Sequence, residues 1–79
     1  MKAKYIKTSD DRIIIFPASM NHTDFRMFDP VSAGFVSFGV GKDGNPDCTC
    51  YGESIGLRLK SDDRDSALAK VQILDRYRY

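Results

Sequence analysis

Two cysteines one residue apart, a single histidine and two runs of small residues carry most of the chemistry this chain could offer. Cys48 and Cys50 flank Thr49, and His22 would be a third metal donor. A closed zinc site needs four ligands, normally with at least two residues between paired cysteines. Asp47 or Glu53 would have to complete it. The tighter spacing suits two small side chains on one face of a strand instead, and a disulfide between them would strain the ring. Free thiols, no metal and no cofactor are the expectation. His22, Ser32 and Glu53 have the residue types of a hydrolase triad. Yet Ser32 precedes Ala33 and Gly34 in what reads as a plain loop, with no nucleophile elbow. One histidine and no recognised nucleophile leave little machinery for acid–base or covalent catalysis. A protein without enzymatic activity is therefore expected.

Pro30-Val31-Ser32-Ala33-Gly34-Phe35 and Tyr51-Gly52-Glu53-Ser54-Ile55-Gly56 place small residues where strands should end. Backbone N–H groups near Gly34, Gly52 and Gly56 could form an anion-binding nest. The same glycines could equally serve positive φ angles and bulges with no ligand at all. Asp62, Asp63 and Asp65 lack the spacing of a calcium loop and suit the start of a helix. Arg76-Tyr77-Arg78-Tyr79 interleaves cations with aromatics, a pairing that stacks on bases. As four terminal residues it reads first as a frayed tail.

These residues need elements to position them. Ala3 to Lys7 and Arg12 to Phe16 flank a polar link and predict a β-hairpin. Ile13-Ile14-Ile15-Phe16 is apolar throughout, which predicts a central strand or one beneath a helix. Ala18 to Asp29 is rich in cap residues and stops before Pro30. It reads as a short helix or as a loop tucking Phe25 and Phe28 inward. Gly34 to Val40 and Asp47 to Glu53 alternate around Asp43-Gly44, the strongest signal for a second hairpin.

A two-residue turn there would set Phe38 opposite Thr49, and a bulged three-residue turn would set it opposite Cys50. The second is preferred because it gathers Val36, Phe38, Cys48 and Cys50 on one face. Phe35 and Tyr51 would then share the other face, with Ser37 and Thr49 between them. That face is either a recognition surface or is buried by the Ala18–Asp29 segment. Ser54 to Lys60 offers a short edge strand. A helix over 63–76, capped within Ser61–Asp63, should bury Leu68, Val71 and Leu74. The order is α+β: an antiparallel sheet of two hairpins, a short helical segment between them, and a C-terminal helix on one face.

Length and charge narrow the function classes. Seventy-nine residues, 42% of them apolar, make one domain over 1–79 with a thin core that association would help. A formal charge of +1 argues against nucleic-acid binding by charge alone and against a basic membrane-surface module. No apolar stretch approaches the roughly 20 residues of a membrane span, and no signal peptide is legible. A soluble cytoplasmic protein is expected. The candidate ligand- or partner-binding residues are His22, Ser32, Gly34, Phe35, Tyr51, Gly52 and Glu53.

The stretch from Ile14 to Lys60 carries Phe16-Pro17, His22, Pro30-Val31-Ser32-Ala33-Gly34-Phe35 and Cys50-Tyr51-Gly52-Glu53-Ser54, and Leu59-Lys60-Ser61 follows at its end. With these motifs the chain resembles a group of small uncharacterised proteins of bacterial mobile elements and phages, especially from gut bacteria. The resemblance implies a setting in which small proteins act by binding and blocking, for example against host defence systems. The expected function is a non-enzymatic module that binds a protein partner, with a homodimer through the Phe35–Tyr51 face favoured. The alternative is a small-ligand or nucleotide-binding oligomer using the glycine-rich strand ends.

Overall fold

Alternation decides the centre of the molecule. The computed structural model describes the backbone of residues 2–76 and side chains as far as residue 73. In it, β1 (Lys2–Thr8) turns Ala3, Tyr5 and Lys7 to one face and Lys4, Ile6 and Thr8 to the other. β1 pairs antiparallel with β2 (Ile13–Phe16) on one side and β3 (Pro30–Val40) on the other. β4 (Pro46–Tyr51) adds beyond β3, so the order is β2-β1-β3-β4. β5 (Glu53–Ser54) and β6 (Leu59–Lys60) form a second small sheet, and α1 (Asp65–Arg76) follows.

Each face of the main sheet has its own core. Under α1, Ala3, Tyr5, Ile13, Val36 and Cys48 pack around the fully buried Ala69. On the opposite face Ile6, Phe16 and Ala33 are covered by Phe25, Leu57 and Leu59. Phe25 belongs to a seven-residue 3₁₀ segment, His22–Phe28. A 3₁₀ helix repeats every three residues, and the ring-bearing residues His22, Phe25 and Phe28 have that spacing. Phe25 stacks on Phe16 at 4.1 Å between centroids, while Phe28 stays half exposed. Asp24 ties the start by accepting from the Asn21 N–H at 3.1 Å. Asp29, at φ 51°, turns the chain out ahead of Pro30.

The α+β architecture and both hairpins agree with the sequence reading, but three details in the second hairpin, β3 and α1 differ. β2 takes the second of its two expected positions, an edge strand beneath α1: Ile13 is buried under the helix and Phe16 on the opposite face, and Ile15 is left exposed. A run apolar at every position needs two covered faces, not two neighbouring strands. The second hairpin pairs Phe38 with Cys48 and Phe35 with Tyr51 across a longer loop closed by Gly41 N–H to Asn45 C=O. The expected register is off by two residues, so the sorting of faces survives. Ser32 lies inside β3, which begins at Pro30, because pairing with Lys7 in β1 extends the strand past the hairpin.

In α1, Val71 is exposed, and the buried ridge is Asp65 and Ala69 flanked by Leu68 and Ile73. A small alanine at the contact brings the helix close and turns position 71 outward. The Leu74 side chain and the Arg76–Tyr79 tail side chains lie outside the described residues. The cap is Asp62: its carboxylate accepts from Arg64 N–H at 2.9 Å, and Asp65 accepts from Asp62 N–H at 3.0 Å.

Both edges of the main sheet are partly stoppered by side chains. Closure of the hairpin at Gly41 and Asn45 leaves the backbone of Pro46, Cys48 and Cys50 pointing away from β3. Pro46 has no N–H. Cys48 N–H donates to Asp47 at 2.9 Å, and Cys50 N–H to the Ser66 hydroxyl of α1 at 2.8 Å. At the β2 edge the Gln72 side chain of α1 accepts from Ile13 N–H and donates to Asp11 C=O, both at 3.3 Å.

Candidate functional site

One cross-strand row organises the face away from α1. Lys4 lies between Phe16 of β2 and Phe35 of β3, and Phe35 lies opposite Tyr51 of β4. The 3₁₀ segment covers the Phe16 end of the row and stops at Phe35, where the His22 ring meets it edge-on at 5.9 Å. Phe35 is half-buried and stacks on Tyr51, which remains 40% exposed. The two readings of this face therefore each hold for part of it: the segment buries the Phe16 half and leaves the Tyr51 half open.

The open half is a shallow groove of about 540 Å³, bounded by Lys2 and Lys4, the Phe35–Tyr51 pair, the start of the 3₁₀ segment and the Gly52–Gly56 turn. Five of the seven sequence-predicted residues line it: His22, Phe35, Tyr51, Gly52 and Glu53. His22 is buried at its base. Its Nε2 lies 2.8 Å from the Gly34 carbonyl, which can only accept, so this nitrogen carries the proton. That bond links the 3₁₀ segment to β3 twelve residues on. Gly34 is the anchor beneath the groove. A Cβ at this position would sit 2.4 Å from the Tyr51 carbonyl oxygen, so only glycine lets the end of β4 pass so close. Gly52, at φ 79°, makes the turn out of β4 while lying against the Phe35 ring. Ser32 is not brought to this site. It is buried on the α1 face.

Sequence reasoning missed the two lysines. Lys4 Nζ donates to the Met20 carbonyl at 2.8 Å, and Lys2 Nζ stands 4.6 Å from the Phe35 ring centroid. Among the described residues neither has a carboxylate within 4 Å. The alternation of Lys2 and Lys4 with Ala3 and Tyr5 was the available signal. What was missing was that β3, not β2 alone, flanks β1.

A second polar cluster is sealed under α1. Asp65, fully buried, accepts from the Tyr5 hydroxyl at 2.5 Å and the Ser32 hydroxyl at 2.8 Å, and its other oxygen meets Lys7 Nζ at 3.0 Å. Burial works against the Asp65 charge, but the hydrogen bonds from Tyr5, the Asp62 backbone and Ser32 outweigh it. They hold its pKa below the usual carboxylate value. The Tyr5 hydroxyl is pushed well above its ordinary value, first by burial and then by donating to that carboxylate. These groups meet one another across the interface, and the cluster fastens α1 to β1 and β3. The Asp62-to-Asp65 spacing was its only sequence signal.

Cys48 and Cys50 are free thiols facing α1. Burial, with Cys48 and Asp65 nearby, pushes Cys50 up to about 12. Among the described residues no group of three or more metal-ligating side chains converges, and no helix is long and apolar enough to cross a membrane. Comparison with protein-family models, curated proteins and solved structures found no match to this chain.

Proposed function

We propose that the chain is a non-enzymatic protein-binding module whose partner docks on the open half of the sheet, over Lys2, Lys4, Phe35 and Tyr51. The observation that carries this reading is the half-covered row. The 3₁₀ segment stops at Phe35, leaving Tyr51 exposed in one groove with Lys2 and Lys4, neither of which has a carboxylate within 4 Å among the described residues. Exposed aromatic residues are what interfaces bury to gain affinity, and lysines beside them steer the approach of an opposite charge. The residue types suited to catalysis support the same reading, since Tyr5, Lys7, Ser32 and Asp65 are spent on one another beneath α1. The resemblance to mobile-element and phage proteins fits a blocker of a host system acting in the cytoplasm.

The test is affinity capture from a bacterial extract with three baits: the natural chain, Tyr51→Ser, and Val71→Ser on the far, exposed side of α1. A partner kept by the natural chain and Val71→Ser but lost with Tyr51→Ser is the expected result. A partner indifferent to Tyr51, or a several-degree thermal shift from a mononucleotide panel with no protein partner, would overturn it. A second copy of the chain is the competing occupant of this face. Sedimentation velocity over a concentration series, repeated with Tyr51→Ser, separates a homodimer from a foreign partner.

A further inference from the structure

We propose that the groove receives an extended acidic segment of the partner, one that carries carboxylates at alternate positions. This rests on the docking-face reading above and adds the chemistry of the occupant. Lys2 and Lys4 leave the same face of β1 two residues apart, a spacing of roughly 6.6 Å along an extended strand. A second extended chain lying along β1 repeats its own side chains at that interval. It therefore carries carboxylates past β1 at the interval at which the two lysines leave the strand.

Both ammonium groups are already placed, Lys4 by the Met20 carbonyl and Lys2 over the Phe35 ring. Little further ordering is needed when a partner arrives, so the attraction is not consumed in fixing long side chains. The apolar neighbours are Tyr51 and Ile55, 40% and 84% exposed. Tyr51 lies two strands from β1 on the same face, so a segment seated between them turns its carboxylates toward the lysines and its intervening side chains toward Tyr51 and Ile55.

The partner lies on the face because the edges offer little to an added strand. At the β4 edge the outward N–H groups of Cys48 and Cys50 are taken by Asp47 and Ser66, and Pro46 has none. At the β2 edge Gln72 takes that of Ile13, leaving Ile15. A single-stranded nucleic acid spaces its phosphates similarly, yet it needs many cationic contacts to bind. This groove supplies two, with Glu53 on its rim and a chain charge of only +1.

The experiment is fluorescence anisotropy with a labelled peptide of alternating glutamate and phenylalanine. It is run beside a neutral peptide with glutamine in place of glutamate, and beside oligothymidylate. The alternating acidic peptide should bind saturably, and roughly tenfold more weakly to Lys2→Glu or to Lys4→Gln. Binding should weaken as salt is raised, and Lys2→Glu should gain affinity for a lysine–phenylalanine peptide. Circular dichroism melting confirms that each variant is folded.

Oligothymidylate binding as tightly as the peptide, or no saturable peptide binding, overturns the inference. If the neutral peptide binds equally well and Tyr51→Ser abolishes it, the acidic specificity is wrong while the docking face stands. If Tyr51→Ser changes nothing either, both fall.

Discussion

The fastening beneath α1 gives the sharpest test of how this small chain holds together. Asp65 has no exposure and four polar partners, and the Lys7 side chain is 3% exposed. Removing one member strands the other's charge in the interior, which costs about 3–5 kcal/mol for a buried pair. A domain of this length has a total stability of only roughly 4–12 kcal/mol. Asp65→Asn keeps the volume and one acceptor, so it should fold, yet lose about 3 kcal/mol because the buried Lys7 ammonium keeps only the Asp62 carboxylate, 3.9 Å away and partly exposed. Lys7→Met should lose somewhat less, since the carboxylate retains the Tyr5, Ser32 and Asp62 donors. The double variant has no stranded charge, so its loss should fall short of the added single losses by about 2 kcal/mol. Urea unfolding followed by circular dichroism at neutral pH measures all four corners of this cycle. Additivity within about 0.5 kcal/mol would refute the reasoning, because it would mean that the two charges do not depend on each other.

Two further outcomes follow from the geometry. Gly34→Ala should destabilise by about 1–3 kcal/mol, because its Cβ must displace the Tyr51 carbonyl from 2.4 Å; an unchanged urea midpoint would mean that β4 yields freely there. The second outcome concerns alkali. Tyr5 and Cys50 both hold their protons above the pH at which the unfolded chain gives them up. The unfolded state therefore binds fewer protons, and stability must fall as pH rises from about 8.5 through 10 and beyond. Asp65, held below its usual value, contributes stability that is lost as pH falls below about 4. A urea midpoint that stays flat between about pH 8 and pH 11 would contradict the burial of Tyr5 and Cys50.

How far the sequence was legible depends on whether a feature was local. Face assignment in the second hairpin follows from alternation alone, so Val36, Phe38, Cys48 and Cys50 come out together even though the register is two residues off. The loop length is set by the Asp43 carboxylate accepting from the Asn45 backbone and side chain, a choice that a bare Asp-Gly signal does not reveal. The position of β2 at an edge was not legible, because four apolar residues in a row report covered faces and say nothing of lateral neighbours. The groove was legible in its aromatic and glycine members, which sit in short motifs. It was not legible in Lys2 and Lys4, whose meaning depends on a strand some thirty residues away. Lys7 with Asp65 was least accessible of all: a lysine within a strand and an aspartate at a helix start each have a sufficient surface explanation, and only the docking of α1 removes it.

The side chains that occupy the sheet edges come largely from the helix: Ser66 stops β4 and Gln72 stops β2. Protection from fibre growth is therefore conditional rather than local. While α1 is seated, the sheet presents few free donors on which a further strand could template. When α1 lifts, both flanks are uncovered in the same event, together with the Ile13–Phe16 run, a low-charge segment of strong β propensity. The grip of Lys7 on Asp65 thus acts as a latch on self-seeding. The first misstep of the chain in acid should be gathering into insoluble sheets, ahead of any expansion into a dispersed coil.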